Sequence, residues 1–309
     1  LNRRGWAGSL QCYRCGNTVD CDSCSVALKL HKQEGRLRCH HCDSSRPLPE
    51  LCPECSADGL IASGLGTQRL ERHVARLLPG ARVARLDRDT TAAKGRSAEI
   101  LQAWGKGEID VLVGTQMVTK GHDVAGVTLV GVIQADSPLC MPDFRGAERA
   151  FQLLCQVAGR AGRGEHPGRV IVQTYRPEHP ALRAAATHDY KGFAERELEE
   201  RHELGYPPHA RMTLVHFDGS EESSVARLSQ RAAGLLGGPS PSWPGLVVRG
   251  PSPSPIAKLR TRYRYQLQLR SSDTSSARLA AASLRETLAG EARRAGVRIT
   301  LDVDPLDMM

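Results

Sequence analysis

Between residues 58 and 175, short apolar or β-branched runs alternate with longer stretches whose apolar positions recur at helical spacing. Leu60–Ala62, Val83–Leu86, Val111–Gly114, Val127–Ile133 and Val170–Gln173 read as strands. Thr67–Leu78, Lys94–Trp104 and Ala147 to about Gln156 read as helices, the last with Ala150, Phe151, Leu153, Leu154 and Val157 on one face. Such alternation predicts an α/β unit, a parallel sheet covered by helices.

After Gly205-Tyr-Pro-Pro-His209 the pattern changes. The Pro/Gly/Ser-rich passage Gly237–Pro255 argues for loops rather than a central strand. Next, Thr261, Tyr263, Tyr265, Leu267 and Leu269 alternate with Arg260, Arg262, Arg264, Gln266, Gln268 and Arg270, which predicts a strand with one apolar and one cationic face. A helix over Ser276–Ala295 and a strand over Val297–Val303 complete a small α+β domain. The expected division is 1–10 as the start of the α/β unit, 11–57 as an insertion, 58–203 as its main part and 204–309 as the carboxy-terminal domain.

The insertion is defined by cysteine. Eight of the ten cysteines precede residue 56, in four Cys-x-x-Cys pairs: Cys12/Cys15, Cys21/Cys24, Cys39/Cys42 and Cys52/Cys55. Two thiolates on one tight turn chelate one ion, and two such pairs complete a tetrahedral Zn²⁺ site. Eight ligands imply two structural zinc ions. The 14 residues between the inner pairs assign Cys21, Cys24, Cys39 and Cys42 to one ion. Nesting gives Cys12, Cys15, Cys52 and Cys55 the other. A sequential scheme, Cys12–Cys24 and Cys39–Cys55, and a disulfide framework are the competing arrangements. His31, His40 and His41 could stand in as ligands but read as surface residues, and Cys140 and Cys155 read as small core residues. With few large apolar side chains, the segment is expected to fold around its ions.

With 309 residues, 40% of them hydrophobic and 25% charged, the chain is long enough for two or three domains. The longest apolar stretch, near Val127–Ile133, falls far short of the roughly 18 residues that cross a bilayer. No apolar signal-peptide core follows the opening Leu-Asn-Arg-Arg-Gly, so the expected location is cytoplasmic. The net charge is +8, and Ser223–Ser272 holds eight basic residues with no acidic one. That surplus is either a solubilising face or a footprint for a polyanion such as nucleic acid, with Lys258, Arg260, Arg262 and Arg264 as candidate contacts. Aromatic residues are only 4%, which argues against a surface built mainly of base-stacking platforms.

Chemistry concentrates at two places. Gln156-Val-Ala-Gly-Arg-Ala-Gly-Arg163 follows a helical pattern, and its small residues allow a sharp turn from which Arg160 and Arg163 can project toward phosphate. In phosphoryl transfer such a group stabilises charge developing on the γ-phosphate. Upstream, the strand Val111–Gly114 runs into Thr115-Gln-Met-Val-Thr-Lys-Gly-His-Asp123, polar groups at the carboxyl end of a parallel strand, where such sheets bind ligands. Thr115 and Gln116 could donate to a nucleic-acid phosphate, and Gly121 and Asp123 could lie beside a nucleotide.

Gly114–Asp123 together with Gln156–Arg163 resembles motifs V and VI of superfamily 2 helicases. Adding Leu1–Trp6, the four cysteine pairs, Arg85-Leu-Asp-Arg-Asp-Thr90, Pro142-Asp-Phe-Arg145, Pro177-Glu-His-Pro180, His188-Asp-Tyr190 and Leu204-Gly-Tyr-Pro-Pro208, nearly the whole chain is similar to the PriA family of primosomal replication-restart helicases. The resemblance implies a RecA-like second helicase lobe with an inserted two-zinc module and a carboxy-terminal domain that contacts branched DNA. It further implies ATP-dependent 3′-to-5′ unwinding and primosome assembly at abandoned forks. Single-stranded-DNA-binding protein and helicase-loading proteins are the implied partners. Arg163 then reads as the arginine finger, Arg160 as a second phosphate contact, Gln156 as the link between nucleotide state and lobe closure, and Asp123 as a neighbour of the ribose.

The sequence departs from the complete pattern. It has no Gly-x-x-x-x-Gly-Lys-[Ser/Thr] loop, Gly105-Lys106-Gly107 being too short, and no Asp-Glu-x-His-like metal-holding motif. ATP and Mg²⁺ are therefore expected to be shared with a first lobe, the chain being read as a carboxy-terminal portion, with which a first residue Leu1 agrees. Gln134-Ala-Asp136 stands where Asp-Ala-Asp is expected, and Trp6 where tyrosine is expected. Two other readings remain: a non-catalytic zinc-dependent DNA-binding protein with a degenerate helicase lobe, and another superfamily 2 translocase of RecG-like type.

Overall fold

The computed structural model describes residues 9–308 apart from 13, 16, 32–34, 40, 41, 43, 64–66, 88–89, 92–94, 116–117, 119–125, 140–142, 163–166, 238–242 and 244. The cysteine-rich segment is built of short strands: β1 (Ser9–Cys12), β2 (Asp20–Cys21), β3 (Cys24–Ala27), β4 (Lys29–His31), β5 (Arg36–Arg38), β6 (Ser45–Pro47) and β7 (Leu60–Ser63). β2 and β3 form a separate hairpin, and the others make one sheet in the order β6-β5-β4-β1-β7. β1 and β7 are antiparallel, from Ser9 opposite Ser63 to Cys12 opposite Leu60, so the chain enters and leaves the segment side by side. An insertion closed in this way leaves its host's chain ends adjacent. Leu10, Val19, Leu28, Leu30 and Leu37 are buried with Cys21, Cys24 and Cys39 in a core that mixes aliphatic carbon with thiols. That core is larger than the sparse apolar content of the segment predicts.

Next come α1 (Thr67–Leu77), β8 (Val83–Leu86), α2 (Arg96–Gly105), β9 (Val111–Gly114), β10 (Leu129–Val132), α3 (Gly146–Ala158) and β11 (Arg169–Val172). β8 pairs with β9 and β10 with β11, both in parallel. These pairs stay separate among the described residues, where a single covered sheet was expected. The strand at 60–63, expected in that sheet, is instead the edge of the cysteine-rich sheet. Periodicity identifies a strand but not its partner, which is set by the β1 backbone lying alongside it.

Two further helices, α4 (Pro180–Ala186) and α5 (Tyr190–Leu204), pack behind α3. Each has local start signals. His179, the residue before Pro180, accepts at Nδ1 from the Ala181 N–H, and Asp189 accepts from the Gly192 N–H. Gly205, with φ 65°, ends α5 in the left-handed region. Phe151 of α3 stacks on Phe193 of α5 at 4.2 Å, in a core with Leu153, Leu154, Val157, Leu182 and Val132.

The carboxy-terminal domain runs β12 (Arg211–Gly219), α6 (Glu222–Leu236), β13 (Val247–Leu259), β14 (Arg262–Ser271), α7 (Ser276–Arg294) and β15 (Val297–Val303). Its antiparallel sheet has the order β13-β14-β12-β15, a ferredoxin-like βαββαβ arrangement. Val215, Phe217, Leu267 and Leu269 are fully buried under α6 and α7. Each such side chain contributes about 1.5–3 kcal/mol by leaving water.

Two expectations are corrected here. The proline-rich passage contains strand β13, not only loops; its prolines are tolerated because β13 is an edge strand with register shifts after Arg249 and Pro253. Arg260 and Thr261 are not strand residues but a hairpin turn, with φ of 49° and 65°. The second face of β14 is not a uniform cationic surface either, since Arg270 is buried.

Candidate functional site

Local turns set up three of the four cysteine pairs, and the β2–β3 hairpin sets Cys21 opposite Cys24. The Cys12 N–H donates to the Asn17 carbonyl, the Cys39 N–H to that of Ser44 and the Cys52 N–H to that of Ala57, at 2.7–2.9 Å. These turns gather Cys12, Cys15, Cys52 and Cys55 in one cluster and Cys21, Cys24, Cys39 and Cys42 in another, all sulfurs of each lying within 4.8 Å of one another. Sulfur–sulfur separations are 3.6 Å for Cys12–Cys55 and Cys21–Cys42, and 3.7 Å for Cys15–Cys52. A disulfide would need about 2.05 Å. Four thiolates at about 2.3 Å around Zn²⁺ give tetrahedral edges near 3.8 Å. These are the nested sets rather than the sequential ones.

The thiols' acidity points the same way. The backbone N–H of Cys15, followed by that of Arg14 and the thiols of Cys55 and Cys15, holds Cys12 down to about 7 against its burial. The Ser44 hydroxyl and N–H hold Cys42 down to about 6. For Cys15 the Asn17 N–H pulls downward, but burial and the thiols of Cys55, Cys12 and Cys52 outweigh it and raise the group to about 12. Burial, with Cys42 and Cys39, pushes Cys24 up to about 12. Each cluster can therefore form a thiolate readily but resists forming four. A divalent cation supplies the charge that lets the rest ionise. Two four-cysteine clusters fit two zinc ions, with no ligand position left open for catalysis.

The Gly-Arg turn leaves the carboxyl end of α3. Its Arg160 N–H donates to the Val157 carbonyl, and the Gly162 N–H to the Val127 carbonyl just ahead of β10, both at 3.0 Å. Gly162 has φ 79°, and a Cβ there would lie 2.9 Å from the Gly168 nitrogen. The turn thus requires glycine for its conformation and for the close approach of two backbone segments. Arg160 is half-buried and Gln156 exposed. Thr115 follows β9 and is half-buried. Gln116, Gly121, Asp123 and Arg163 lie outside the described residues, as do His40, His41 and Cys140.

Of the basic candidates of the last domain, Lys258 and Arg262 have partners within the chain. Lys258 Nζ donates to the Asp22 carbonyl at 2.9 Å and lies 5.0 Å from the Tyr263 ring centre. Arg262 and Arg298 both pair with Asp218, at 2.8 and 3.1 Å. Arg264 is half-buried on β14. Arg260 sits at the hairpin tip.

Sequence reasoning gave no role to Asp87, which is 1% exposed. It accepts from the Thr67 hydroxyl at 2.6 Å and the Thr90 N–H at 3.0 Å and pairs with Arg85 at 3.2 Å, tying α1 to the end of β8. Nor did it give one to Asp143, whose carboxylate holds Arg149 at 2.8 Å and Arg145 at 3.7 Å. Carboxylates flanked by arginine in Arg85–Thr90 and Asp143–Arg145 were the available signal.

The architecture joins a cysteine-rich zinc region to a helicase-type α/β segment and an α+β domain. Residues 21–47 match the PriA DNA helicase Cys-rich region domain, 62–165 the helicase conserved C-terminal domain, and 202–306 the primosomal protein N C-terminal domain. The chain is 44% identical over 236 residues to the replication restart protein PriA of Bacillus subtilis, covering 76% of this chain and 29% of that protein. It is 38% identical over all 309 residues to that of Haemophilus influenzae and to that of Treponema pallidum, covering 42% and 46% of them. The chain belongs to the PriA family. It spans less than half the length of these relatives. Among the described residues, no helix is long and apolar enough to cross a membrane.

Proposed function

We propose that this chain supplies the carboxy-terminal part of an ATP-dependent 3′-to-5′ DNA helicase that recognises stalled or abandoned replication forks and restarts replication by primosome assembly. Residues 1–10 and 58–203 act as a RecA-like second helicase lobe, 11–57 as the zinc module and 204–309 as a DNA-contacting domain. The observation that carries the reading is the occurrence together in one chain of the eight-cysteine module, the helicase C-terminal segment and the terminal domain.

ATP and Mg²⁺ would lie between this lobe and a first lobe that bears the phosphate loop, since none occurs here. Arg163 serves as the finger on the γ-phosphate, Arg160 as a second phosphate contact, and Gln156 couples nucleotide state to closure. Gly121 and Asp123 line the nucleotide, and Thr115 and Gln116 hold a DNA phosphate. The pinned turn at Gly162 supports the assignment of Arg160, because a guanidinium on a fixed turn needs little reorganisation to meet developing charge. Partners of the whole protein are single-stranded and forked DNA, single-stranded-DNA-binding protein and helicase loaders, and the site of action is the cytoplasm.

Fluorescence anisotropy on a forked duplex tests the reading. Binding is expected, with affinity that falls steeply with salt as counterions are displaced. Replacing Arg260, Arg262 and Arg264 by alanine should weaken binding and flatten the salt slope, and an unchanged slope removes these residues from the interface. No DNA-stimulated ATP turnover is expected from the 309-residue chain, and measurable turnover refutes the shared-site reading.

A further inference from the structure

Three of the four Cys-x-x-Cys pairs follow one rule. The second cysteine accepts a hydrogen bond from the backbone N–H two residues on: Asn17 to Cys15, Ser44 to Cys42 and Ala57 to Cys55. Four thiolates on one Zn²⁺ leave a net charge of about −2, which such N–H groups stabilise. Cys24 differs because it opens strand β3. Its backbone donor is Arg260, 236 residues later, with nitrogen and sulfur 3.1 Å apart.

That contact is one of four. The Thr261 N–H donates to the Ser23 carbonyl at 2.7 Å, and Lys258 Nζ to the Asp22 carbonyl at 2.9 Å. Leu259 packs against the buried Leu28, Leu30 and Leu37 cluster. The tip of the β13–β14 hairpin thus covers the Cys21–Cys24 turn with each of its residues 258–261. Arg260 and Thr261 hold left-handed conformations that non-glycine residues avoid, so the tip is shaped for what it meets rather than for its own ease.

We propose that this hairpin tip is the missing half of the Cys21/Cys24/Cys39/Cys42 centre. The Arg260 N–H replaces the donor that the Cys21–Cys24 turn does not supply, and metal at this centre latches the carboxy-terminal domain to the zinc module. The coupling is reciprocal: docking tightens this metal ion, and the metal ion tightens docking. The Cys12/Cys15/Cys52/Cys55 centre, served by donors from its own turns, stays outside the coupling.

The test uses the zinc-loaded 309-residue chain and a chelator that changes colour on taking up zinc, with thiol alkylation and peptide mapping to show which cysteines each release phase exposes. Leu259→Asp undocks the tip without touching a ligand. It should speed release from Cys21/Cys24/Cys39/Cys42 about 10–100-fold, leave the other centre unchanged, and shift the thiolate-to-metal absorption band of the cobalt-loaded protein. A double variant, Arg260→Asn with Thr261→Gly, keeps the N–H and suits the left-handed turn, so it should release zinc no faster than the parent. Lys258→Ala, a milder change, should move the same phase in the same direction. In reverse, Cys39→Ser should expose the amides of residues 256–263 to hydrogen exchange, and Cys52→Ser should not. Unchanged release in Leu259→Asp, equal acceleration at both centres, or equal effects of the two cysteine variants would overturn the proposal.

Discussion

The ring of Phe144 lies stacked on that of Tyr206, with centroids 4.7 Å apart and planes 12° from parallel. Arg145 covers the Phe144 ring at 4.1 Å and Arg270 the Tyr206 ring at 4.4 Å. Arg270 also donates to the Leu204 carbonyl at 2.7 Å. Beside the stack, Met212, Leu214 and Met308 pack with Phe144. The stack therefore joins the loop before α3 to the carboxy-terminal sheet. It links the α/β segment to the carboxy-terminal domain, whereas the hairpin at the metal centre links that domain to the cysteine-rich segment.

Because the two rings contact each other directly, Phe144→Ala and Tyr206→Ala should not be additive. A double-mutant cycle by chemical denaturation is expected to return about 0.5–1.5 kcal/mol of coupling. Additivity within about 0.3 kcal/mol would mean that the rings are merely adjacent.

Zinc content should be two ions per chain, and chelation should remove both. Because thiols must be deprotonated to bind, acidification should release them as protons compete for sulfur. Elemental analysis across a pH series checks both expectations. Hydrogen exchange should rise first in residues 9–63, where the thiols form much of the core.

Asp110 accepts from the Arg82 N–H and guanidinium at 2.6–2.9 Å, and Arg82 holds its carboxyl down to about 2. A carboxylate with a depressed pKa stabilises the fold above its ordinary value, near 4, and that contribution disappears as pH falls toward about 2. Asp110→Asn should therefore lower the melting temperature at about pH 7, and the gap from the parent should close as pH falls from about 4 to 2. A gap independent of pH would show that the ion pair is not its source.

Gly162→Ala meets two obstacles, a positive φ and the Gly168 backbone 2.9 Å from the new carbon. A loss of more than about 1 kcal/mol is expected, read by denaturation, with increased exchange at residues 158–162. Gly234→Ala, at a helical position with open space for a methyl group, is the contrasting change and should be neutral or stabilising.

Much of this was legible along the chain. Helices and strands in 60–172 showed through apolar spacing, and all eight thiol ligands showed through the Cys-x-x-Cys repeat, because both signals are local. α5 had readable caps in Asp189 and Gly205, but its polar composition hid it, and α4, with Pro180 at its first position, is only seven residues long. β13 was concealed by Pro251, Pro253 and Pro255, which speak against a strand only where both edges need N–H donors.

Sequence by itself determined the four Cys-x-x-Cys pairs, the alternation of the α/β segment and the Gly-Arg turn, each through spacing within a short stretch, while the structure decided between nested and sequential thiol sets. Tertiary structure alone decided that 60–63 joins the cysteine-rich sheet, that Arg262 faces Asp218, that Arg270 is buried on Tyr206, and that Arg260 serves Cys24. The physical reason is range. Dihedral preference and apolar period are properties of neighbours in the chain, whereas a cation's partner or a sulfur's donor depends on which distant surface the fold brings within about 3 Å, the reach of a hydrogen bond.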